Sequence, residues 1–233
     1  MSTKENLITI AWCDNGLVDG KFAEGIIGTT LFSSTTDMPI TSSIRVHGNQ
    51  IGRQRQNLID YWADKIDTDW VLWIDSDIVL TPKILTTLCD AIKENKLEII
   101  TGIYFISKET EASLMEPMPC IFKDVNNYEI QHIHPLPENT LIEVDCAGMG
   151  LVLMNKSVVT KLRKAFPDQS LFAEEQNLGD KFIGEDIVFF RKVKKAGVKL
   201  YAHTGAIAKH IKRFSYDDNF YKMYWDNVDK ITK

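Results

Sequence analysis

Residues 71–77 read VLWIDSD, an apolar run that ends in two carboxylates, Asp75 and Asp77, with one residue between them. A continuous apolar run of this length is typical of a strand covered on both faces, and open α/β sheets present their ligand sites at the carboxyl ends of such strands. Side chains alternate along an extended strand, so we expect Asp75 and Asp77 to share one side and to meet one divalent cation. The simplest partner for that cation is a diphosphate.

An Asp pair at the end of a strand also has a purely structural interpretation, because aspartate caps helices and closes turns. In this chain a helix cap is already supplied downstream. Thr81 offers a capping hydroxyl, and Pro82 suits the first helical position. The metal interpretation of the Asp pair is therefore favoured over the structural one.

The composition limits the class of protein. A chain of 233 residues with 44% hydrophobic and 25% charged residues is typical of a soluble globular protein. Its net charge of -5 argues against a nucleic-acid binder. No apolar stretch approaches membrane-spanning length and the polar start has no secretory signal, so we predict a cytoplasmic protein without a membrane span. Its 4 cysteines lack CxxC spacing and predict neither a zinc cluster nor a disulfide scaffold.

Predicted strands alternate with predicted helices over the first hundred residues. The strands are expected at 7–12, 40–46, 71–74 and 97–104, and the helices at 22–32, from Gly52 onward and after Pro82. This alternation predicts an α/β fold with a largely parallel sheet and helices on both faces. Beyond it, short runs at 119–122, 141–146 and 149–154 predict mixed or antiparallel strands. We therefore expect a nucleotide-binding half over 1–104 and a second half with a different role over 105–233.

A second acidic motif, Gly184-Glu185-Asp186, opens a predicted helix that ends near Gly197. Acidic residues are common in a first helical turn because they interact favourably with the helix dipole. The polar stretch 168–181 precedes the motif and is the best candidate for a mobile loop. A carboxylate beside such a loop, Asp186 or Glu185, could instead act as general base for an incoming hydroxyl group.

The last part of the chain contains candidate metal ligands and a further helix. A neutral imidazole is a good ligand for transition-metal ions, so His210 could complete a metal site with the Asp pair, with His203 as the competing candidate. The C-terminal stretch carries apolar and aromatic residues at roughly helical spacing: Phe220, Tyr221, Tyr224, Val228 and Ile231. This pattern predicts a docking face rather than a membrane anchor.

The strand ending in Asp75-Ser76-Asp77, the helix start at 184–186 and the late His210 together resemble GT-A-fold glycosyltransferases. The resemblance spans nearly the whole chain and implies one catalytic domain, 1–233, with a mixed, mainly parallel GT-A-like sheet. In that family a DxD motif holds a divalent metal, Mn²⁺ or Mg²⁺, that bridges the diphosphate of a nucleotide sugar. The resemblance implies Asp77 as direct ligand, Asp75 nearer the ribose or a metal-bound water, and His210 as a further ligand.

The same resemblance assigns the remaining roles. In inverting members the final Asp of the acidic motif acts as base, which implies Asp186, with Glu185 beside it. Arg55 and Ser76 are assigned with Asp75 to donor binding, and 146–150 resembles a segment on the acceptor side. The implied partners are a nucleotide-sugar donor and a hydroxyl-bearing glycan or other acceptor, and the acceptor would bind to the half formed by 105–233 and the C-terminal helix.

Two alternatives remain open at this point. Residues 75–79 also fit the DxDx(T/V) pattern of haloacid-dehalogenase-like phosphohydrolases, in which Asp75 would be the nucleophile, Asp77 an acid/base and Thr101 a group on a later strand. Against this, Thr81 and Pro82 begin a helix where that family would place a glycine-rich flap. The second alternative is a non-catalytic nucleotide-binding module that retains the fold without turnover.

Overall fold

A computed structural model describes residues 6–108, 116–126, 129–173, 175–176, 182–212 and 218–231. The helices in this part of the chain are α1 (Gly20–Ser33), α2 (Ile51–Lys65), α3 (Pro82–Asn95), α4 (Lys156–Ala165), α5 (Glu185–Lys195) and α6 (Asp218–Ile231). The strands are β1 (Ile8–Asp14), β2 (Ile40–His47), β3 (Trp70–Ile74), β4 (Ile78–Val79), β5 (Ile99–Ile103), β6 (Phe105–Lys108), β7 (Glu116–Pro119), β8 (Ile121–Asn126), β9 (Glu129–His132), β10 (Leu141–Val144), β11 (Cys146–Ala147), β12 (Leu151–Asn155), β13 (Glu175–Gln176), β14 (Phe182–Ile183), β15 (Leu200–Ile207) and β16 (Lys209–His210).

The central sheet has seven strands in the described residues, in the order β10-β15-β5-β12-β3-β1-β2. Strands β2, β1, β3, β5 and β15 run in one direction, whereas β12 and β10 run in the other. The prediction of a mixed, mainly parallel sheet is therefore confirmed. The antiparallel strand β12 lies between β3 and β5, so both halves of the sequence contribute to one sheet.

The strand that precedes the Asp pair, β3, lies inside this sheet, third from the β2 edge. All five residues of β3 are buried, because β1 and β12 flank it and helices cover the sheet. The helices form two groups by contact: α1 packs against α3, while α2 packs against α4 and α5. The sequence prediction of helices on both faces agrees with this arrangement.

Local signals in the sequence set where several helices begin and end. The Thr81 hydroxyl accepts a hydrogen bond from the backbone N–H of Ile84 at 3.3 Å, and Pro82 opens α3 as predicted. Helix α3 ends at Asn95 and is capped by Lys96, whose φ of 53° places it in the left-handed region. Gly184 is the N-cap residue of α5 and has no side chain to cap it. The first turn of α5 carries two acidic residues, Glu185 and Asp186.

The stretch predicted to be a mobile loop contains two packed residues, Leu171 and Phe172. Leu171 and Phe172 are buried, and both of their backbone N–H groups donate to the side-chain oxygen of Gln56, at 2.6 and 3.3 Å. The Phe172 ring stacks on Phe189 with ring centroids 4.5 Å apart. Within the stretch predicted to be mobile, Phe189 and Gln56 thus hold Leu171 and Phe172, whereas 168–170 are exposed. Most of the remainder, 174 and 177–181, lies outside the described residues.

Other elements differ less from their prediction. Strand β15 runs from Leu200 to Ile207 and pairs with both β5 and β10. The C-terminal stretch is helical as predicted, and Tyr221 and Trp225 are exposed on α6. The sequence predicted no disulfide scaffold, and all 4 cysteines of the chain are buried free thiols.

Candidate functional site

The two aspartates of the DxD sequence lie in a tight turn after β3. The backbone N–H of Ile78 donates to the carbonyl of Asp75 at 3.0 Å, and the short strand β4 starts there. The expectation that Asp75 and Asp77 share a side through strand alternation is therefore wrong, because the chain is no longer extended after Ile74. The turn directs the two carboxylates to different partners.

Asp75 is bound to a buried ion-pair network. Arg55 of α2 donates from Nη2 to Asp75 Oδ1 at 3.0 Å and from Nη1 to Glu185 Oε1 at the start of α5. The side chains of Arg55 and Glu185 are only 7% and 10% exposed. Burial by itself would lower the pKa of Arg55, but Asp75 and Glu185 outweigh burial and raise it. Arg55 is thus a permanently charged link between α2, the end of β3 and α5.

Asp186 lies beside this network with a carboxylate that is unusually basic. Burial raises its pKa to about 6, the Arg55 charge opposes that rise and the Glu185 charge adds to it. Asp186 Oδ1 accepts a hydrogen bond from the backbone N–H of Ile187 at 2.8 Å. At neutral pH the group is mostly ionised, yet it retains enough basicity to accept a proton.

The segment 146–150 passes closely behind Asp75. The backbone N–H of Asp75 donates to the carbonyl of Gly150 at 3.1 Å. A Cβ at Gly148 would lie 2.0 Å from Tyr104 Oη, and one at Gly150 would lie 2.9 Å from Asp75 Oδ2. Both positions need glycine because Tyr104 and the Asp75 carboxylate occupy the space that a side chain would fill. Close packing around Asp75 accounts for these glycines.

Asp77 is surrounded by groups from the other end of the sequence. His210 Nε2 and Lys212 Nζ each lie 3.0 Å from the same atom, Asp77 Oδ2. Strand β16, which contains His210, pairs with β4, which follows Asp77 in the turn. Burial alone would raise the pKa of Asp77, but its hydrogen bonds with His210 and Lys212 outweigh burial and lower it.

The His210 ring is held by a backbone carbonyl at one nitrogen and faces Asp77 with the other. His210 Nδ1 lies 2.7 Å from the backbone carbonyl of Phe105, which only accepts, so Nδ1 carries a proton. The 3.0 Å contact between Nε2 and Asp77 Oδ2 is a hydrogen bond that needs a proton on Nε2. A divalent cation would take the place of that proton, and Asp77 and His210 would then both be its ligands. Oxygen and nitrogen ligands of this kind suit Mn²⁺. The Asp77–His210 pair therefore fits a divalent cation.

The predicted metal residues are only partly brought together. In the described part of the chain, no group of three or more His, Cys, Asp or Glu side chains could hold a metal ion by itself. Asp77 and His210 meet, whereas Asp75 Oδ1 is bound to Arg55. His203 lies on β15, where it pairs with Leu141 of β10. A cation at Asp77 and His210 would draw its other ligands from water or from phosphate oxygens, as such cations commonly do.

A polar cleft of about 330 Å³ opens at the carboxyl ends of β1 and β2 and includes Ser76. Its lining residues are Cys13, Asp14, Asn15, Gly48, Asn49, Ile51, Gln54 and Ser76. Asp14 is fixed there by Arg45, which donates from Nε to Oδ2 and from Nη2 to Oδ1 at 2.7 Å. Those hydrogen bonds lower the pKa of Asp14 although burial acts against them. The cleft therefore has an ion-paired carboxylate in its wall.

Sequence reasoning missed three residues of this site: Asp14, Tyr104 and Lys212. Asp14 follows an apolar strand just as Asp75 does, so the polar residue at the end of β1 was a usable signal. Lys212 follows His210 by two residues, but a lysine near a histidine is not informative by itself. Tyr104 was detectable only through the tertiary contact of its hydroxyl with Gly150.

Thr101, on which the phosphohydrolase alternative depends, lies away from this site. It is fully buried in β5. Its hydroxyl contacts the backbone carbonyls of Gly102 and Leu151, both at 2.9 Å. A hydroxyl with these partners secures the strand and is not available to a phosphate group.

No protein-family model and no curated protein matches this chain. Solved structures do match it in fold. A197 from STIV has a TM-score of 0.56 and 17% identity, over 88% of this chain and 86% of that one. GalNAc-T7, solved with UDP, GalNAc and Mn²⁺, has a TM-score of 0.59 and 9% identity, over 95% of this chain and 49% of that one. This chain thus spans about half the length of GalNAc-T7, and at such identities the likeness establishes the fold alone.

The fold is GT-A-like, a mixed and mainly parallel α/β sheet with helices on both faces, as the sequence predicted. Within this fold, the Asp75–Ile78 turn lies at the carboxyl end of β3. The polar cleft lies at the carboxyl ends of β1 and β2. Glu185 and Asp186 lie in the first turn of α5. Among the helices that the structure describes, none combines the length and the apolar character needed to cross a membrane.

Proposed function

We propose that this chain is a metal-dependent glycosyltransferase, which moves a sugar from a nucleotide-diphosphate donor to a hydroxyl group of a glycan or other acceptor. The observation that carries the proposal is the Asp77–His210 pair. Its two ligand atoms lie 3.0 Å apart, and the pair adjoins Ser76, which lines the polar cleft. A cation ligand pair beside a nucleoside-sized cleft is the arrangement that a nucleotide-sugar donor requires.

The donor is assigned to the half formed by residues 1–104. Its nucleoside would occupy the cleft beside Ser76, and its diphosphate would reach Asp77 and His210. The ion pair with Arg55 holds Asp75 in place, so Asp75 is a positioning residue at the donor site. The fold likeness to GalNAc-T7, which was solved with UDP, GalNAc and Mn²⁺, supports a donor of this class.

The reaction needs help for the leaving group and for the acceptor. A bound Mn²⁺ or Mg²⁺ would neutralise charge on the departing nucleoside diphosphate. Asp186 would take the proton of the acceptor hydroxyl, since its pKa of about 6 suits a general base near neutral pH. Glu185 is bound to Arg55 and therefore serves to hold the start of α5 rather than to move protons. The acceptor is assigned to the half formed by 105–233.

The two alternatives receive less support. A phosphohydrolase needs Asp75 as a free nucleophile, but Asp75 Oδ1 is bound by Arg55, and Thr101 lies away from the turn. A non-catalytic nucleotide-binding module would not need a buried carboxylate of raised pKa beside the donor site. Both alternatives make different predictions in a donor-binding assay followed by a turnover assay.

The test is a thermal-shift screen of UDP-, GDP- and CMP-sugars with and without Mn²⁺, in the wild type and in Asp77→Asn. A ligand that binds only the folded state at a hundredfold excess over its Kd stabilises it by about 2.7 kcal/mol, or about 5–10 °C for a chain of this size. We expect one donor to raise the Tm only with Mn²⁺, and Asp77→Asn to lose that rise.

Three other results would contradict the proposal. A shift that does not need Mn²⁺ would remove the metal from the mechanism. Metal-dependent binding without release of a nucleoside diphosphate in the presence of any acceptor would favour the binding module. No shift with any donor, together with release of phosphate from small phosphoesters, would favour the phosphohydrolase.

A further inference from the structure

Lys212 is an exposed cation that forms an ion pair with Asp77, the carboxylate at which a metal would bind. Its ammonium lies 3.0 Å from Asp77 Oδ2, the same oxygen atom that His210 Nε2 approaches at 3.0 Å. The Lys212 side chain is 58% exposed and that of Asp77 is 38% exposed. The neighbouring backbone is fixed, because the N–H of Ile211 donates to the Asp77 carbonyl at 2.7 Å. The ammonium can therefore move into solvent while the adjacent main chain stays anchored beside Asp77.

A divalent cation at Asp77 and His210 would compete with this ammonium. Both cations need the lone pairs of Asp77 Oδ2, and like charges at one oxygen repel each other. An exposed ion pair contributes only about 0.2–1 kcal/mol, so Lys212 is displaced at little cost. Its anchored backbone keeps the released ammonium next to the site.

We propose that Lys212 is an exchangeable residue of the metal site: it holds Asp77 in the absence of metal and binds the donor's diphosphate once a divalent cation displaces it. The second half of this inference rests on the proposed function. A lysine ammonium is a compact charge that binds phosphate oxygens well. A divalent cation on Asp77 does not balance a diphosphate, and the Lys212 charge supplies what is missing, above all when the leaving group gains negative charge.

The cation on the other side of the turn has no such freedom. Arg55 is 7% exposed and its guanidinium is shared between Asp75 and Glu185, so it cannot leave one carboxylate without exposing a buried charge. Exchange is therefore a property of Lys212 alone among the cations that contact the Asp75–Ile78 turn in the described residues. The matched control for Lys212 is Lys209, an exposed lysine of β16 that makes no ion pair with Asp77.

The experiment compares wild type, Lys212→Met, Lys212→Arg and Lys209→Met by calorimetric titration with Mn²⁺ alone and with Mn²⁺ plus inorganic diphosphate. With Mn²⁺ alone we expect Lys212→Met to bind about two- to fivefold more tightly than wild type, because the competing ion pair is gone. With diphosphate present the sign should reverse, and Lys212→Met should bind the complex about three- to tenfold more weakly. Lys212→Arg and Lys209→Met should both follow the wild type.

Each outcome decides one part of the inference. Equal or weaker Mn²⁺ binding by Lys212→Met overturns the exchange at Asp77. Unchanged affinity for Mn²⁺ with diphosphate overturns the phosphate role. No Mn²⁺ binding by wild type or variants removes the metal site, and with it the proposed function. A sign reversal without sugar transfer from any donor would leave Lys212 as inferred and would count against the glycosyltransferase.

Discussion

The two carboxylates of the Asp75–Ile78 turn belong to regions that differ in burial and in partners. Asp75 contacts Arg55, whose side chain is 7% exposed and which also binds the buried Glu185. Asp77 contacts His210 and Lys212, and the Lys212 side chain is 58% exposed. Two aspartates separated by one residue thus have different tasks. The Asp75 side fixes the geometry of the site, whereas the Asp77 side can exchange one cation for another.

Burial explains the difference. An unpaired charge inside the protein is strongly destabilising, so the Arg55 network has one stable arrangement. An exposed ion pair is close to balanced against hydration, so Lys212 can leave Asp77 without a large change in stability. The comparison is tested by removing one group at a time from each side.

The largest effect is expected from Asp186→Asn, next to the Asp75 side. Loss of a general base lowers rates by about 100- to 10,000-fold, while donor affinity in the thermal-shift assay should stay nearly unchanged. In the wild type, kcat/KM should rise with pH through about 6, because Asp186 must lose its proton to act as base and its pKa is raised to about 6. A fully active Asn variant, or a flat profile between pH 5 and 8, would remove Asp186 from the mechanism.

The stability of this variant provides its own control. A carboxyl whose pKa is raised by folding contributes stability at low pH, and that contribution is lost as the pH rises through the folded pKa of about 6. Asp186→Asn should therefore be at least as stable as the wild type at pH 7.5. A lower free energy of unfolding there would indicate that the lost activity reflects damage to the fold.

The next effect is expected from Arg55→Met, which breaks the Asp75 side. Removal of one partner from a buried ion pair costs about 3–5 kcal/mol, since Glu185 is then left charged and buried. Asp77→Asn on the other side should cost less than about 1 kcal/mol, because Asp77 itself and its partner Lys212 are exposed to solvent. Urea unfolding at 25 °C measures both. Equal costs for the two variants would mean that the two sides do not differ as described.

The smallest effect concerns two glycines in helices. A Cβ at Gly52 in α2, on the Asp75 side, would lie 2.8 Å from the backbone carbonyl of Phe172, which cannot move away easily. Gly52→Ala should therefore cost about 1–3 kcal/mol. At Gly28 in α1 a Cβ would meet nothing within 4 Å, so Gly28→Ala should stabilise by about 0.5–1 kcal/mol. A stabilising Gly52→Ala would contradict the tight packing of α2 against the segment that holds Phe172.

The sequence predicted much of the fold because its signals are local. The apolar run 71–74 forms the buried β3, Thr81 and Pro82 open α3, and Gly184 precedes α5. The alternation of strands and helices gave the sheet and its two helical layers. The packing of Leu171 and Phe172 was not predicted, because Gln56, which binds them, lies more than a hundred residues earlier in the chain.

The site was predicted less completely. The structure brings His210 to Asp77 and leaves Asp75 with Arg55, and strand alternation gave the wrong relation between the two aspartates. Their division depends on Arg55 and on the turn that begins at Asp75, neither of which the sequence near the motif reveals. The roles assigned to these residues stay predictions until metal and donor binding are measured.

The sequence by itself determined the order of the elements, the buried strand β3 and the acidic groups that follow it, because hydrophobic pattern and helix capping act between near neighbours. Only the tertiary structure decided which partner each acidic group has. Arg55 meets Glu185 across 130 positions of sequence, and Asp77 meets Lys212 across 135. Contacts of that length depend on how the sheet brings distant strands together, and burial then decides which of those ion pairs is fixed and which is free to exchange.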